Sequence, residues 1–234
     1  MSLAVEIVRE QIQTIGGLMS AAGLVTGTWG NISARVPDEP YYLITPSGIP
    51  YERIKKQDLV LVDGSGCVIN SDRRPSSELK MHLSIYNARE DVAAIVHTHS
   101  TYACALAVAG KPLPPILEEM AQLVGGEVPV ARYARAGTNS LAAAAVEAMG
   151  QSNAVLLANH GLVGLGRDVN EAYQVCLVVE KAAHVYILAL MMGRTDLIDP
   201  GEVRTLRESY LHDYGQPKEK VLIRNTKPPG KNKF

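Results

Sequence analysis

The chain is poor in several features, and each shortage argues against a class of function. It has 3 cysteines in 234 residues, an odd number set among apolar neighbours at Cys67, Cys104 and Cys176. That usage argues against a disulfide framework and for buried thiols in a reducing compartment, so the expected location is the cytoplasm. The formal charge is only -1, which offers no electrostatic reason to expect nucleic acid or an anionic membrane as partner. No segment reads as apolar for long enough to span a bilayer, and the acidic N-terminal stretch has no export signature. A glycine-rich loop opening a helix after a strand is also missing, which counts against a dinucleotide-binding domain. There is no internal repeat and no linker before the last stretch. Residues 1–215 therefore read as a single domain, and residues 216–234, rich in Lys, Pro and Asn, as a disordered basic tail with little to bury.

What is present is a 47% hydrophobic content in patterned segments, ample for a core. Val5, Val8, Ile12, Ile15 and Met19 recur at helical spacing over Leu3 to Ala22. Tyr41 to Ile44 and Leu59 to Val62 read as strands, and Asp63-Gly64-Ser65-Gly66 as a turn leading to Cys67-Val68-Ile69 in a hairpin. Pro75-Ser76-Ser77-Glu78 opens a helix with serines available as caps and Glu78 in its first turn. Strands follow at Ala93 to His97, Val128 to Val130 and Val155 to Leu157, with helices over Leu117 to Leu123 and Ser140 to Met149. Asp168-Val169-Asn170-Glu171 starts the longest helix, reaching about Met192. Helices alternate with strands and hairpins, so the expected fold is α/β, a three-layer sandwich around a mixed or largely antiparallel sheet.

The residues with most chemistry are histidines. In a strand, alternate side chains share a face, so His97 and His99 in Ile95-Val96-His97-Thr98-His99 project together. His160 stands in a second strand-like segment, Leu157-Ala158-Asn159-His160-Gly161. Three imidazoles with an open fourth position suit a catalytic zinc. Glu78 is the candidate fourth group, able to ligate the metal and then act as acid or base. Three small donor-rich turns, Gly27 to Asn31, Thr45 to Gly48 and Ser76-Ser77, together offer a cradle for phosphate. His82, in line with Leu79 and Leu83, reads as a half-buried structural residue, and His184 and His212 have no motif. Trp29 reads equally as a substrate wall or a packing anchor.

These motifs, Gly27-Thr28-x-Gly30-Asn31-x-Ser33, Thr45-Pro46-Ser47-Gly48-Ile49-Pro50, Pro75-Ser76-Ser77-Glu78, His97-x-His99 and Asn159-His160-Gly161, resemble those of the class II aldolase/adducin family, in family order. The resemblance covers about Leu3 to Gly215. It implies a Zn2+ held by His97, His99 and His160, with Glu78 as alternating ligand and acid/base, and Mn2+ or Co2+ as substitutes. It places phosphate among Gly30, Asn31, Ser47, Gly48, Ser76 and Ser77. It further implies a three-layer fold around a mostly antiparallel sheet and a homotetramer with sites between subunits. The implied activity is cleavage of a ketose 1-phosphate, such as L-fuculose 1-phosphate, into dihydroxyacetone phosphate and a short aldehyde. Tyr210 or Tyr214 is implied as proton donor. Glu119 and Ala136 occupy positions where relatives wall the aldehyde end with aromatics, which opens the site to 5-deoxy or methylthio pentuloses. Alternatives on the same fold are a ribulose-5-phosphate 4-epimerase and a dehydratase or decarboxylase.

Overall fold

The computed structural model describes residues 2–214 apart from Asn70, so the tail of residues 216–234 lies outside the described residues. Its centre is a seven-stranded sheet in the order β3-β2-β1-β4-β7-β6-β5. The strands are β1 (Asn31–Arg35), β2 (Tyr41–Ile44), β3 (Val60–Asp63), β4 (Ala94–Thr98), β5 (Val130–Ala131), β6 (Ala154–Leu157) and β7 (Gly161–Gly166). Every neighbouring pair is antiparallel except β5 with β6. The sheet is therefore mostly antiparallel, as its short apolar runs and turns imply.

Period-2 alternation sorts side chains between two cores. Along β4, Ala94 and Val96 join the core under α1 (Leu3–Ala21), α3 (Thr101–Ala109), α4 (Glu118–Val124) and α6 (Val169–Met191). Ile95 joins the opposite core, with Met81 and Ile85 of α2 (Leu79–Ala88) and Leu141 and Ala145 of α5 (Asn139–Met149). His97 is in phase with Ile95, which directs it towards the α2 face. Helices on both faces make three layers. A last helix, α7 (Pro200–His212), buries only Val203 and is tied to α4 by Arg207, whose guanidinium donates to the Gln122 and Leu123 carbonyls at 2.6 and 2.9 Å.

Several local expectations are corrected. Asn31–Arg35 is a strand rather than the end of a turn, because Ile32 and Ala34 alternate with Asn31, Ser33 and Arg35. Three glycines conceal the strand β7. Cys67-Val68-Ile69 forms no full strand, contributing one bridge between Val68 and Val62, and Cys67 is exposed rather than buried. Glu78 is the N-cap of α2, outside its first turn, and neither serine caps the helix by a side chain. Val128 bridges to Leu113, and the strand there begins at Val130. By length and composition α6 does pass for a membrane span, with a mean hydropathy of 1.5 over its best window. Val175, Cys176, Val179 and Ala183 are buried against the sheet, and 28% of that window is buried in all.

Candidate metal centre and its clefts

β4 carries His97 at its end, and His99 follows just beyond it. β7 runs antiparallel to β4 with Leu162 opposite Thr98, so the turn between β6 and β7 delivers His160 to the same end of the sheet. Asn159 makes that turn in the left-handed region, at φ 56°. Two residues on, a glycine is required: a Cβ on Gly161 would stand 2.4 Å from the Thr98 carbonyl oxygen and about 3 Å from both the His97 and His99 rings. The three rings then meet through their Nε2 atoms, 3.0 Å between His99 and His97 and 3.3 Å between His97 and His160.

Glu78 joins them from the α2 side. Its Oε2 lies 3.2 Å from His97 Nε2, and its Oε1 3.5 Å from His160 Nε2. Asn31, on β1 beside β4, donates from Nδ2 to Oε2 at 2.8 Å. The glycine before it lets β1 enter close to β4: a Cβ on Gly30 would stand 2.6 Å from the His97 carbonyl oxygen. Oε1 of Glu78 is buried and has no hydrogen-bond partner among the described residues.

The donor set fits a divalent metal. His97 Nδ1 lies 2.9 Å from the Leu162 carbonyl, to which it donates, and this turns Nε2 inwards. Nitrogens about 3.3 Å apart match tetrahedral coordination at Zn–N distances of about 2.0–2.1 Å. Burial, and then the neighbouring histidine charges, push His99 down to about 3 and His160 down to about 4, leaving both neutral at neutral pH as ligation requires. Burial opposes charge on Glu78 as well, yet His97, His160 and Asn31 outweigh it and hold the carboxyl well below its usual range. Burial likewise disfavours a charged His97, but Glu78 overrides that and raises it. The centre thus calls for positive charge beside Glu78, which a bound cation supplies.

Two clefts open onto it. One, of about 260 Å³, is lined by Gly30, Asn31, Ser47, Gly48, Ser76 and Ser77 together with Glu78, His99 and His160. All six residues expected around phosphate share this one wall. The other, of about 540 Å³, is lined by Trp29, Tyr133, Ala134, Arg135, Ala136, His99 and His160, among others. Trp29 is 66% exposed with its ring 5.9 Å from that of His99, so it is a cleft wall and no packing anchor. Tyr133 and Arg135 lie in a loop and carry no spacing signal in the sequence.

The two C-terminal tyrosines are not brought here. Tyr210 donates to Glu171 Oε1 at 3.1 Å, beside Arg167, and Tyr214 is 72% exposed, its ring 5.4 Å from that of Tyr210. Arg167 and Glu171 lie past the far end of β7, with Arg167 about 24 Å of extended chain from His160 at a rise of ~3.4 Å per residue. Within one chain neither tyrosine reaches the histidines. Glu119 pairs with Lys181 at 2.6 Å and does not line either cleft, whereas Ala136 lines both. His82 is fully buried rather than half-buried and bonds to Asn31. His184 stacks on Tyr102, and His212 pairs with Glu208 at the surface.

Residues 10–187 match the family described as Class II Aldolase and Adducin N-terminal domain. The chain is similar to the 5-deoxy-D-ribulose 1-phosphate aldolase of Bacillus thuringiensis serovar kurstaki, 40% identical over 89% of this chain and 97% of that one. It is similar to the L-fuculose phosphate aldolase of Haemophilus influenzae, 35% identical over 84% of this chain and 90% of the relative. Among solved structures, an L-fuculose 1-phosphate aldolase superposes with a TM-score of 0.84 at 37% identity, covering 87% of this chain and 96% of the other.

Proposed function

Since this chain belongs to the class II aldolase and adducin family, we propose that it is a zinc-dependent aldolase acting on a ketose 1-phosphate. The observation that carries this reading is the meeting of Glu78, three histidine nitrogens and the donor-rich turns at one cleft. The substrate is a 5-deoxypentulose 1-phosphate, with L-fuculose 1-phosphate as the second choice. The relative at 40% identity is named for the former, and Ala136 keeps the second cleft wide beside His160.

Zinc held by His97, His99 and His160 would act as a Lewis acid, polarising the substrate carbonyl and its neighbouring hydroxyl. The chain's own residues supply the rest. Amides and hydroxyls of Ser47, Gly48, Ser76 and Ser77 orient the phosphate without a cationic side chain. In cleavage the C3–C4 bond breaks, the C4 hydroxyl loses its proton as it becomes the aldehyde, and C3 must receive one. In condensation Glu78 removes that proton from C3 through Oε1; in cleavage the carboxylate first takes a proton from water in the cleft, to which the C4 hydroxyl proton is released, and returns it to C3 from the same oxygen. Tyr133, on the cleft wall of the same chain, is the tyrosine placed to exchange the proton at the C4 oxygen. Tyr210 and Tyr214 can serve only in another copy's site.

A homotetramer in the cytoplasm completes the reading. Leu188, Met191 and Met192 at the end of α6 are 48%, 80% and 86% exposed, an apolar surface suited to burial between copies. The residues 1–215 act as one domain. The test is release of dihydroxyacetone phosphate from 5-deoxyribulose 1-phosphate and L-fuculose 1-phosphate in parallel. Release that stops with a chelator and returns with zinc supports the proposal. No release from zinc-loaded protein with either substrate rejects it and moves the assignment to an epimerase or decarboxylase.

A further inference from the structure

Behind Glu78 lies a buried polar chain that the aldolase chemistry does not touch. Glu78, His82 and Tyr86 are four residues apart on α2, so they share one helix face, and Asn31, Ser33 and Arg35 alternate along β1, so they share one strand face. Four helical residues rise about 6 Å and two strand residues about 6.8 Å, close enough for the two rows to interlock rung by rung. His82 Nε2 lies 2.5 Å from Asn31 Oδ1, His82 Nδ1 2.6 Å from Ser33 Oγ, and Ser33 Oγ 2.8 Å from the Tyr86 hydroxyl. Arg35 closes the far end, donating to the Tyr86 carbonyl at 2.6 Å. Asn31, Ser33, His82 and Tyr86 are each 3% exposed or less.

Donor chemistry gives this chain one direction. The Glu78 carboxylate only accepts, so Asn31 presents its amide NH2 to Glu78 and its oxygen to His82. His82 must then carry its proton on Nε2. His82 is 0% exposed and its ring nitrogens meet only the neutral partners Asn31 and Ser33, so the ring is neutral and Nδ1 accepts from Ser33. Ser33 has spent its proton and therefore accepts from Tyr86, a phenol that burial keeps protonated.

We infer that His82 is a positioning residue for the metal centre: through Asn31 it pins Oε2 of Glu78, 3.2 Å from His97 Nε2, and leaves Oε1, 3.5 Å from His160 Nε2, as the oxygen without a hydrogen bond. The inference rests on the role given to Glu78 above. The opposite ring tautomer would set a lone pair of His82 against Asn31 Oδ1. That clash would turn the amide and set its oxygen against Glu78. Because an amide does not pass protons on, the chain orients Glu78 without supplying its proton.

The test reads the ring directly. Side-chain 15N signals of the zinc-loaded full chain, with His82 assigned by its disappearance in His82→Gln, are expected to show a protonated Nε2 and a bare Nδ1 at neutral pH. A protonated Nδ1, or a doubly protonated ring, overturns the inference. In kinetics, His82→Leu is expected to lower kcat about 10- to 100-fold with KM and zinc content unchanged. His82→Gln, which keeps a donor and an acceptor, is expected to restore most of kcat. Full kcat in the leucine variant overturns the inference, as does a loss that simply follows zinc content. A wild type without aldol cleavage rejects the proposed activity instead, and the tautomer measurement then decides the question of His82 alone.

Discussion

Two buried glutamates stand near opposite ends of the sheet, and they are wired differently. Glu171, 7% exposed at the start of α6, is saturated: Oε1 accepts from Arg167 Nη2 at 2.6 Å and Tyr210 at 3.1 Å, and Oε2 from the Arg167 backbone at 2.6 Å. Glu78, 5% exposed, has one oxygen held by Asn31 and the other without a hydrogen bond among the described residues, and each oxygen lies within 3.5 Å of a histidine Nε2. Both carboxyls are held below their usual range, Glu171 mainly by Arg167 working against burial. A shifted carboxylate alone therefore does not mark a reactive one. The spare oxygen does, because a lone pair already used in structure is not available to a metal or a proton.

Substitutions can break this contrast, and the largest effect is expected at the unsaturated end. Glu78→Gln should lower kcat by about 10²- to 10⁴-fold. Folding should survive and zinc should remain, by elemental analysis, since the histidine nitrogens are untouched. Undiminished turnover would remove Glu78 from the chemistry. Gly161→Ala forces a Cβ against the Thr98 carbonyl and two ligand rings. It should cost about 1–3 kcal/mol in denaturant unfolding and weaken zinc binding through His160. If zinc affinity were unchanged, the tight turn would not be what sets the triad.

At the saturated end the effects should fall on stability. Glu171→Gln should destabilise by about 1–2 kcal/mol, at the low end for a charged hydrogen bond because Arg167 is 56% exposed. The folded carboxyl is depressed, so its contribution is present above the unfolded value of about 4.3 and disappears as pH falls through the lower folded value. Wild type should thus lose more stability than Glu171→Gln on acidification below about pH 4. Parallel pH curves for the two would show that the pair contributes nothing. Smallest of all, Tyr210→Phe should cost about 0.5–1.5 kcal/mol and leave kcat unchanged, since the hydroxyl is committed to Glu171. A large fall in kcat would instead place that tyrosine in the site of another copy.

Particular residues show how much could be read in advance. The amphipathic row from Val5 to Met19 and the Asp168 cap of α6 were legible because a helix repeats its signal over many turns. β7 was not, since its three glycines carry no alternation, and its place beside β4 comes from backbone pairing alone. His97 and His99 announced themselves by period 2. His82 looked ordinary because its meaning lies in Asn31 and Ser33, some fifty positions away.

Local order along the chain determined the ligand types, the donor-rich turns and the alternation of helix with strand, because backbone geometry is set by near neighbours. Tertiary pairing alone decided that β7 would carry His160 to His97, that Asn31 would leave one oxygen of Glu78 unused, and that Tyr210 would be spent on Glu171. Those outcomes depend on which groups become each other's hydrogen-bond partners once water is excluded. That matching is made between strands and helices far apart in the chain, and no spacing within a single segment encodes it.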